Sequence, residues 1–193
     1  MRRSQEDTAK TRVRIVAAAA EMFRARGIEA TSVADVMSAV GLTVGGFYRH
    51  FDSKDALVAE AIERASHEVA AHGLDSYLSD AHRKQPGRGC PVAALCSEVA
   101  HGSKATKTAF TGALESLLGN VGAAMPPSAR GDRRQVLFAA SAAVGALVLA
   151  RATHDEAFAG EILSAVREGL LAGSAEGSAK PGARRGQREP QKK

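Results

Sequence analysis

The stretch Thr31–Phe51, TSVADVMSAVGLTVGGFYRHF, constrains the fold more than any other. It holds two runs with helical apolar spacing, Val33 to Val40 and Val44 to His50, separated only by Gly41, Leu42 and Thr43. Two short helices joined by so tight a turn match a helix-turn-helix, whose second helix lies in the DNA major groove. Each position has a physical reason. Ser32 is placed to cap the first helix, and Asp35 three residues later makes a partial capping box. Gly41 permits a left-handed turn. Val36, Val40 and Leu42 can pack on Phe47 and Phe51 and so fix the interhelical angle. Thr43 can satisfy free amides at the start of the second helix and face a phosphate. Tyr48, His50 and Lys54 are polar groups at the rim of this unit, suited to phosphate contact.

The rest of the chain reads as helix too. Alanine accounts for 39 of 193 residues and aromatic residues for 4%, a composition that favours helix over strand. Residues 8–26 repeat Ile15, Ala18, Ala19, Met22 and Phe23 at steps of three and four, with Gly27 as the stop. A fourth helix is expected from Lys54 to about Ala71. Residues 81–89 read as a polar loop. Further helices are expected from Pro91 to about His101, Ala105 to Ala123, Asp132 to Ala152 and Ala157 to Ala172. The expected fold is all-α: an N-terminal three-helix domain over 1–52, a helical domain over 53–173, and a tail over 174–193. The tail is rich in Gly, Ser, Pro, Lys, Arg and Gln and is expected to be disordered.

The formal charge of +5 is concentrated at the two ends, in residues 1–14 and in the tail. Met1-Arg2-Arg3 is followed by no apolar stretch, so no signal peptide is expected. The longest uncharged apolar run, Val136 to Ala150, spans fifteen residues, and a membrane span needs about 20. A cytoplasmic protein with no membrane partner is expected. Cys90 and Cys96 are too few for a disulfide framework, and no metal-ligand spacing, phosphate loop or nucleophile motif occurs. No metal, cofactor or enzymatic activity is expected.

Together these residues resemble a known family. A first helix ends in Phe23-Arg24-Ala25-Arg26-Gly27. Thr31-Ser32-Val33, Gly41-Leu42-Thr43, Phe47-Tyr48-Arg49-His50-Phe51 and Ser53-Lys54-Asp55-Ala56-Leu57 follow. Over about residues 10–60 the pattern is similar to the DNA-binding domain of the TetR/AcrR regulators. The resemblance implies a homodimer, most often a repressor, on a palindromic double-stranded DNA operator. A helical ligand-binding and dimerisation domain releases the operator when a small-molecule effector binds. It places Ser32, Thr43, Val44, Gly45, Tyr48, His50 and Lys54 at the DNA, with Lys54 matching a phosphate-contacting lysine. Arg12 is added from the basic N-terminal arm, by analogy with arms that contact DNA elsewhere. Val44 and Gly46 depart from the usual longer polar and small hydroxyl residues there, so base readout is expected to be thin.

The C-terminal half carries weaker signals. A helix apolar on all faces must be covered. Following the resemblance, the last two long helices are expected to form the dimer interface, through Ala139, Ala143 and Leu147 on one and Ile162, Val166 and Leu170 on the other. A ligand cavity would draw on Leu95, Val99, Phe110, Leu114, Leu117 and Phe138, and one above about 300 Å³ would favour a ligand-responsive regulator. Alternatives stay open at this stage: a ligand-independent DNA-binding protein, a redox or electrophile sensor using Cys90 ahead of a helix N-terminus, or an enzyme with Cys90 as nucleophile.

Overall fold

The computed structural model describes residues 5–68, 73–125 and 131–176. The expectation of disorder therefore lies outside the described residues from 177 onward, while 174–176 continue the last helix. Among the described residues all regular structure is helical: α1 Gln5–Arg26, α2 Val33–Ala39, a 3-10 helix Val44–Arg49, α3 Lys54–Glu68, α4 Gly73–Tyr77, α5 Asp80–Lys84, a 3-10 turn Pro86–Arg88, α6 Pro91–Val99, α7 Lys104–Ala124, α8 Arg133–Ala152 and α9 Glu156–Glu176.

Local chemistry sets the main boundaries. Glu6 and Asp7 occupy the first turn of α1 and Arg24 and Arg26 its last, matching the helix dipole at both ends. Gly27 then turns the chain out at φ 93°. Side-chain oxygens of Ser32, Ser79, Ser103 and Asp132 cap α2, α5, α7 and α8. The stretch read as a loop, 81–89, is instead α5 followed by the 3-10 turn. Ser79 supplies the cap and Pro86 the preset φ for these two elements.

α1, α2, the first 3-10 helix and α3 enclose Ile15, Phe23, Val36, Met37, Phe47, Leu57 and Ile62, all buried. This core runs on without a break into α6, α7 and the inner side of α8, because α3 packs against both α1 and α7. The α8–α9 pair has a smaller core of its own, made of Ala143, Ala146, Ala150, Ala159, Leu163 and Leu78.

α8 is 20 residues long and apolar enough to cross a membrane by length and composition, longer than the fifteen-residue run implied. Seven of its residues are buried within the fold. Ala139, Ala143 and Leu147, expected at a subunit interface, are among them. They point inward because α7 and α9 cover that face. The opposite face carries Leu137, Phe138 (71% exposed) and Leu149 (60%), and Phe158 on α9 is 51% exposed. Phe138 is thus on the outside of the chain and not in a cavity. Ile162, Val166 and Leu170 are half-buried against the small core.

Candidate nucleic-acid interface and effector cavity

The turn between α2 and the 3-10 helix is built as its sequence requires. Gly41 sits at φ 72° with nothing within 4 Å of where a Cβ would stand, so conformation and not crowding demands glycine there. The Ser32 Oγ accepts the Asp35 N–H at 3.1 Å, and an Asp35 carboxylate oxygen accepts the Ser32 N–H at 2.8 Å. The Ser32 hydroxyl, which donates to the same carboxylate at 2.5 Å, and then the Ser32 N–H hold the Asp35 carboxyl below its usual range, with Arg26 nearby adding to the effect. Ser32 is therefore already engaged by a carboxylate at the N-terminus of α2.

Phe47 and Phe51 stack with ring centroids 5.4 Å apart, and Tyr48 meets Phe47 edge-on at 5.3 Å. Phe47 is fully buried while Tyr48 is 72% exposed. The two aromatic neighbours thus divide the work: one closes the core, the other projects from it. Thr43, Val44 and Gly45 are exposed on the same unit and His50 is half-buried. Thr43 takes the cap position without a side-chain cap hydrogen bond, so its hydroxyl is not used as the sequence had suggested. The reading helix is six residues of 3-10, longer than the usual three or four. Gly45-Gly46 lowers α-helix propensity by about 1 kcal/mol per residue relative to Ala, which is consistent with the tighter winding.

The basic side chains expected at DNA, Arg12 and Lys54, make contacts within the fold, as does Arg14. Helix α1 already begins at Gln5, so Arg12 lies within it. Its guanidinium stands 4.1 Å over the Phe51 ring and pairs with Glu60. Arg14 donates to the Val40 carbonyl at 2.9 Å, satisfying the C-terminal end of α2. Lys54 is half-buried and its Nζ donates to the Ile28 carbonyl at 2.6 Å. All three hold the three-helix unit together.

A cavity of about 270 Å³ opens between α4, α5, the 3-10 turn and the C-terminal end of α7. Tyr77, His82, Gln85, Asn120 and Val121 are among its walls, and of the expected lining residues only Leu117 is. Leu95 and Val99 are buried in the main core, and Phe110 and Leu114 pack against it. The reason is the direction of the helix faces. α6 packs among α7, α8 and α1, and most of α7 lies against α3, leaving only the end of α7 for the cavity.

Behind the cavity wall lies a cluster that residue spacing did not reveal. His82 Nδ1 donates to the Tyr77 carbonyl at 2.8 Å, while its Nε2 accepts the Cys90 N–H at 3.0 Å. That pair of bonds needs a neutral imidazole, and burial does hold the His82 pKa below its ordinary value. Burial, and then the adjacent Cys90, keep the Tyr77 phenol protonated. Arg151 donates to the carbonyls of Arg83 and His82. A Cβ on Gly89 would stand 2.7 Å from His82 Nε2 and 2.9 Å from Arg151 Nη2, so this glycine is required by packing. The sequence signal was Gly89-Cys90-Pro91; the partner histidine was hidden in a segment that read as loop. Among the described residues no group of three His, Cys, Asp or Glu side chains is placed to hold a metal ion.

Comparison with known proteins agrees with this architecture. Residues 15–61 match the family described as bacterial regulatory proteins, tetR family. The transcriptional repressor KstR2 of Rhodococcus jostii is 38% identical over 72 residues, covering 34% of this chain and 35% of that protein. The regulator TtgR of Pseudomonas putida is 38% identical over 72 residues, covering 37% and 34%. The chain therefore spans about a third of the length of these curated relatives. A TetR regulator structure from Chloroflexus aurantiacus superposes with a TM-score of 0.69 at 23% identity, covering 87% of this chain and 96% of that one, which extends the likeness of fold to both halves. Residues 15–61, with their capped helix-turn-helix, thus match the tetR family of bacterial regulatory proteins, and the larger helical region that follows shares the fold of a solved TetR regulator.

Proposed function

We propose that the chain is a cytoplasmic transcriptional repressor that binds a palindromic DNA operator as a homodimer and is released by a small-molecule effector. The carrying observation is the reading unit, where Thr43, Val44, Gly45 and Tyr48 are exposed beside a core closed by Phe47 and Phe51. In this reading residues 1–52 form the DNA-binding domain and 53–173 the effector and dimer domain. The apolar outer face of Leu137, Phe138, Leu149 and Phe158 supports pairing with a second copy, since a contiguous exposed apolar patch marks an interaction surface. The role of its relative KstR2 as a transcriptional repressor supports repression. At about 270 Å³ the cavity falls just short of the ~300 Å³ set above as the mark of a ligand-responsive regulator, so the effector reading rests on the family likeness and not on volume. The test is a gel-shift titration on a duplex enriched from a random-sequence pool by the wild-type protein. Tyr48→Ala is expected to weaken binding about tenfold, the worth of one hydrogen bond to a charged group, with an unchanged melting temperature. Equal affinity for both proteins refutes this docking.

One observation favours a second reading. The Tyr77 hydroxyl and Arg151 Nη1 are both buried without a well-aligned hydrogen bond, and both stand beside the Cys90 thiol. In that reading Cys90 senses an oxidant or soft electrophile. Labelling of Cys90 by N-ethylmaleimide no faster than that of exposed Cys96 overturns it.

A further inference from the structure

Two voids meet along one wall. The first is the cavity of about 270 Å³ described above. The second is a cleft of about 410 Å³ between α1, α3 and the 3-10 turn Pro86–Arg88. Glu68 and Arg88 line both. Their chemistry is opposite. The cavity takes Leu117, Val121 and Ala124 from α7. The cleft is walled chiefly by charge: Glu21 and Arg24 from α1, Arg64 and Glu68 from α3, and Arg88 from the turn. Gly87 holds the turn close. A Cβ there would stand 3.2 Å from both the Glu21 Cγ and the Glu21 carbonyl oxygen, so a side chain would push the turn away from α1.

The charges of the cleft do not balance. Glu68 Oε2 accepts from Arg24 Nη2 at 2.7 Å, and its Oε1 stands 2.8 Å from Arg64 Nε. One carboxylate thus serves two guanidiniums. The Arg24 side chain is only 3% exposed, and Arg64 Nε is buried without a well-aligned hydrogen bond. Three guanidiniums against two carboxylates, Glu21 and Glu68, leave a net charge of +1. A buried guanidinium short of a full counter-charge is costly, and its planar fork of N–H donors matches a carboxylate.

We propose that cavity and cleft form one amphipathic site for an aliphatic carboxylic acid, with the hydrocarbon chain in the cavity and the carboxylate among Arg24, Arg64 and Arg88. The single excess positive charge matches a monoanion. A phosphate ester, at about −1.5 to −2 near neutral pH, over-neutralises it. The proposal names the chemical class of the effector in the regulator reading above, and rests on that reading for its consequence at DNA.

The test is isothermal titration calorimetry on the full chain with n-octanoate, n-octanol and octyl phosphate. Octanoate is expected to bind about tenfold tighter than octanol, the worth of one hydrogen bond to a charged group, and tighter than octyl phosphate. Two exposed residues then probe the charges with opposite sign. Arg88→Gln is expected to weaken octanoate about tenfold, and Glu21→Gln to tighten it about threefold, the scale of an exposed charge. Octanol should respond to neither, whereas a merely structural role moves both ligands alike. Equal binding of octanoate and octanol, or octanoate indifferent to both substitutions, overturns the site. Octyl phosphate binding more tightly than octanoate overturns the assignment to a monoanion. Ala124→Phe, which fills the cavity from an exposed position, is expected to abolish binding of both; octanoate that still binds there is adventitious and overturns the site as well. The gel-shift titration on the enriched duplex separates the two readings. Octanoate that binds as expected but leaves duplex affinity unchanged supports the site and refutes release by this effector. No binding by any probe overturns the site and leaves the DNA-binding reading standing.

Discussion

The DNA-reading unit and the α8–α9 pair are packed by different means. Around the helix-turn-helix, a few large side chains from four elements meet: Phe23, Met37, Phe47, Phe51 and Ile62. Between α8 and α9 the buried residues are mostly alanines at steps of three and four. Large side chains fix one mutual orientation, because each has few places to go. Small ones allow close helix approach but give little directional information. The first region is a rigid reading head. The second presents a broad apolar back, with Phe138 and Leu149 outward.

Substitutions sharpen or break this contrast. The largest effect is expected for Phe47→Ala, which removes a fully buried ring and costs about 3–5 kcal/mol in chemical denaturation. A loss below about 1 kcal/mol would mean that the reading head is not held by its aromatic core. Next comes Ala143→Leu, which overfills the α8–α9 contact at a cost of about 1–3 kcal/mol. Neutrality there would show that the alanine contact is loose and able to slide. Leu149→Ser is expected to leave the subunit folded and to dissociate the proposed homodimer, read by sedimentation velocity; an unchanged sedimentation coefficient would place any subunit contact elsewhere.

The smallest effect concerns pH. His82 is held neutral in the fold by burial. The unfolded chain takes up a proton below about pH 6.5, so stability from this group is present above that value and lost as the pH falls. Wild type is expected to lose slightly more stability than His82→Gln between pH 7.5 and 5.5. The difference should stay under about 1 kcal/mol, because solvent still screens the half-buried ring. A larger loss in His82→Gln contradicts the assignment.

The contrast in packing also explains how much was legible beforehand. Gly41, Ser32 with Asp35, and the Phe47/Phe51 pair announce their roles through local chemistry, and the structure shows each of them in that role. The α8 sequence is apolar on every side, so periodicity could not say which face is inward. Ala139 and Phe138 are adjacent in sequence, yet their surroundings are opposite. Arg12 and Lys54 looked like free cations because their partners Glu60 and Ile28 lie 48 and 26 residues away. The cavity failed for a related reason. Its walls come from short elements whose caps are readable, but whose placement depends on Arg83 pairing with Asp80 and Glu156 across the fold.

Gly45 has no atom within 4 Å of where a side chain would begin, and its backbone is not in the left-handed region. It stands exposed on the reading unit between Val44 and the covered Gly46–Met37 contact. A side chain introduced at 45 raises helix propensity by up to about 1 kcal/mol and meets no atom within 4 Å. Under the proposed docking on DNA this is a vacant letter: one substitution there adds a recognition group while the core closed by Phe47 stays untouched, which makes Gly45 the position at which to rewrite operator preference.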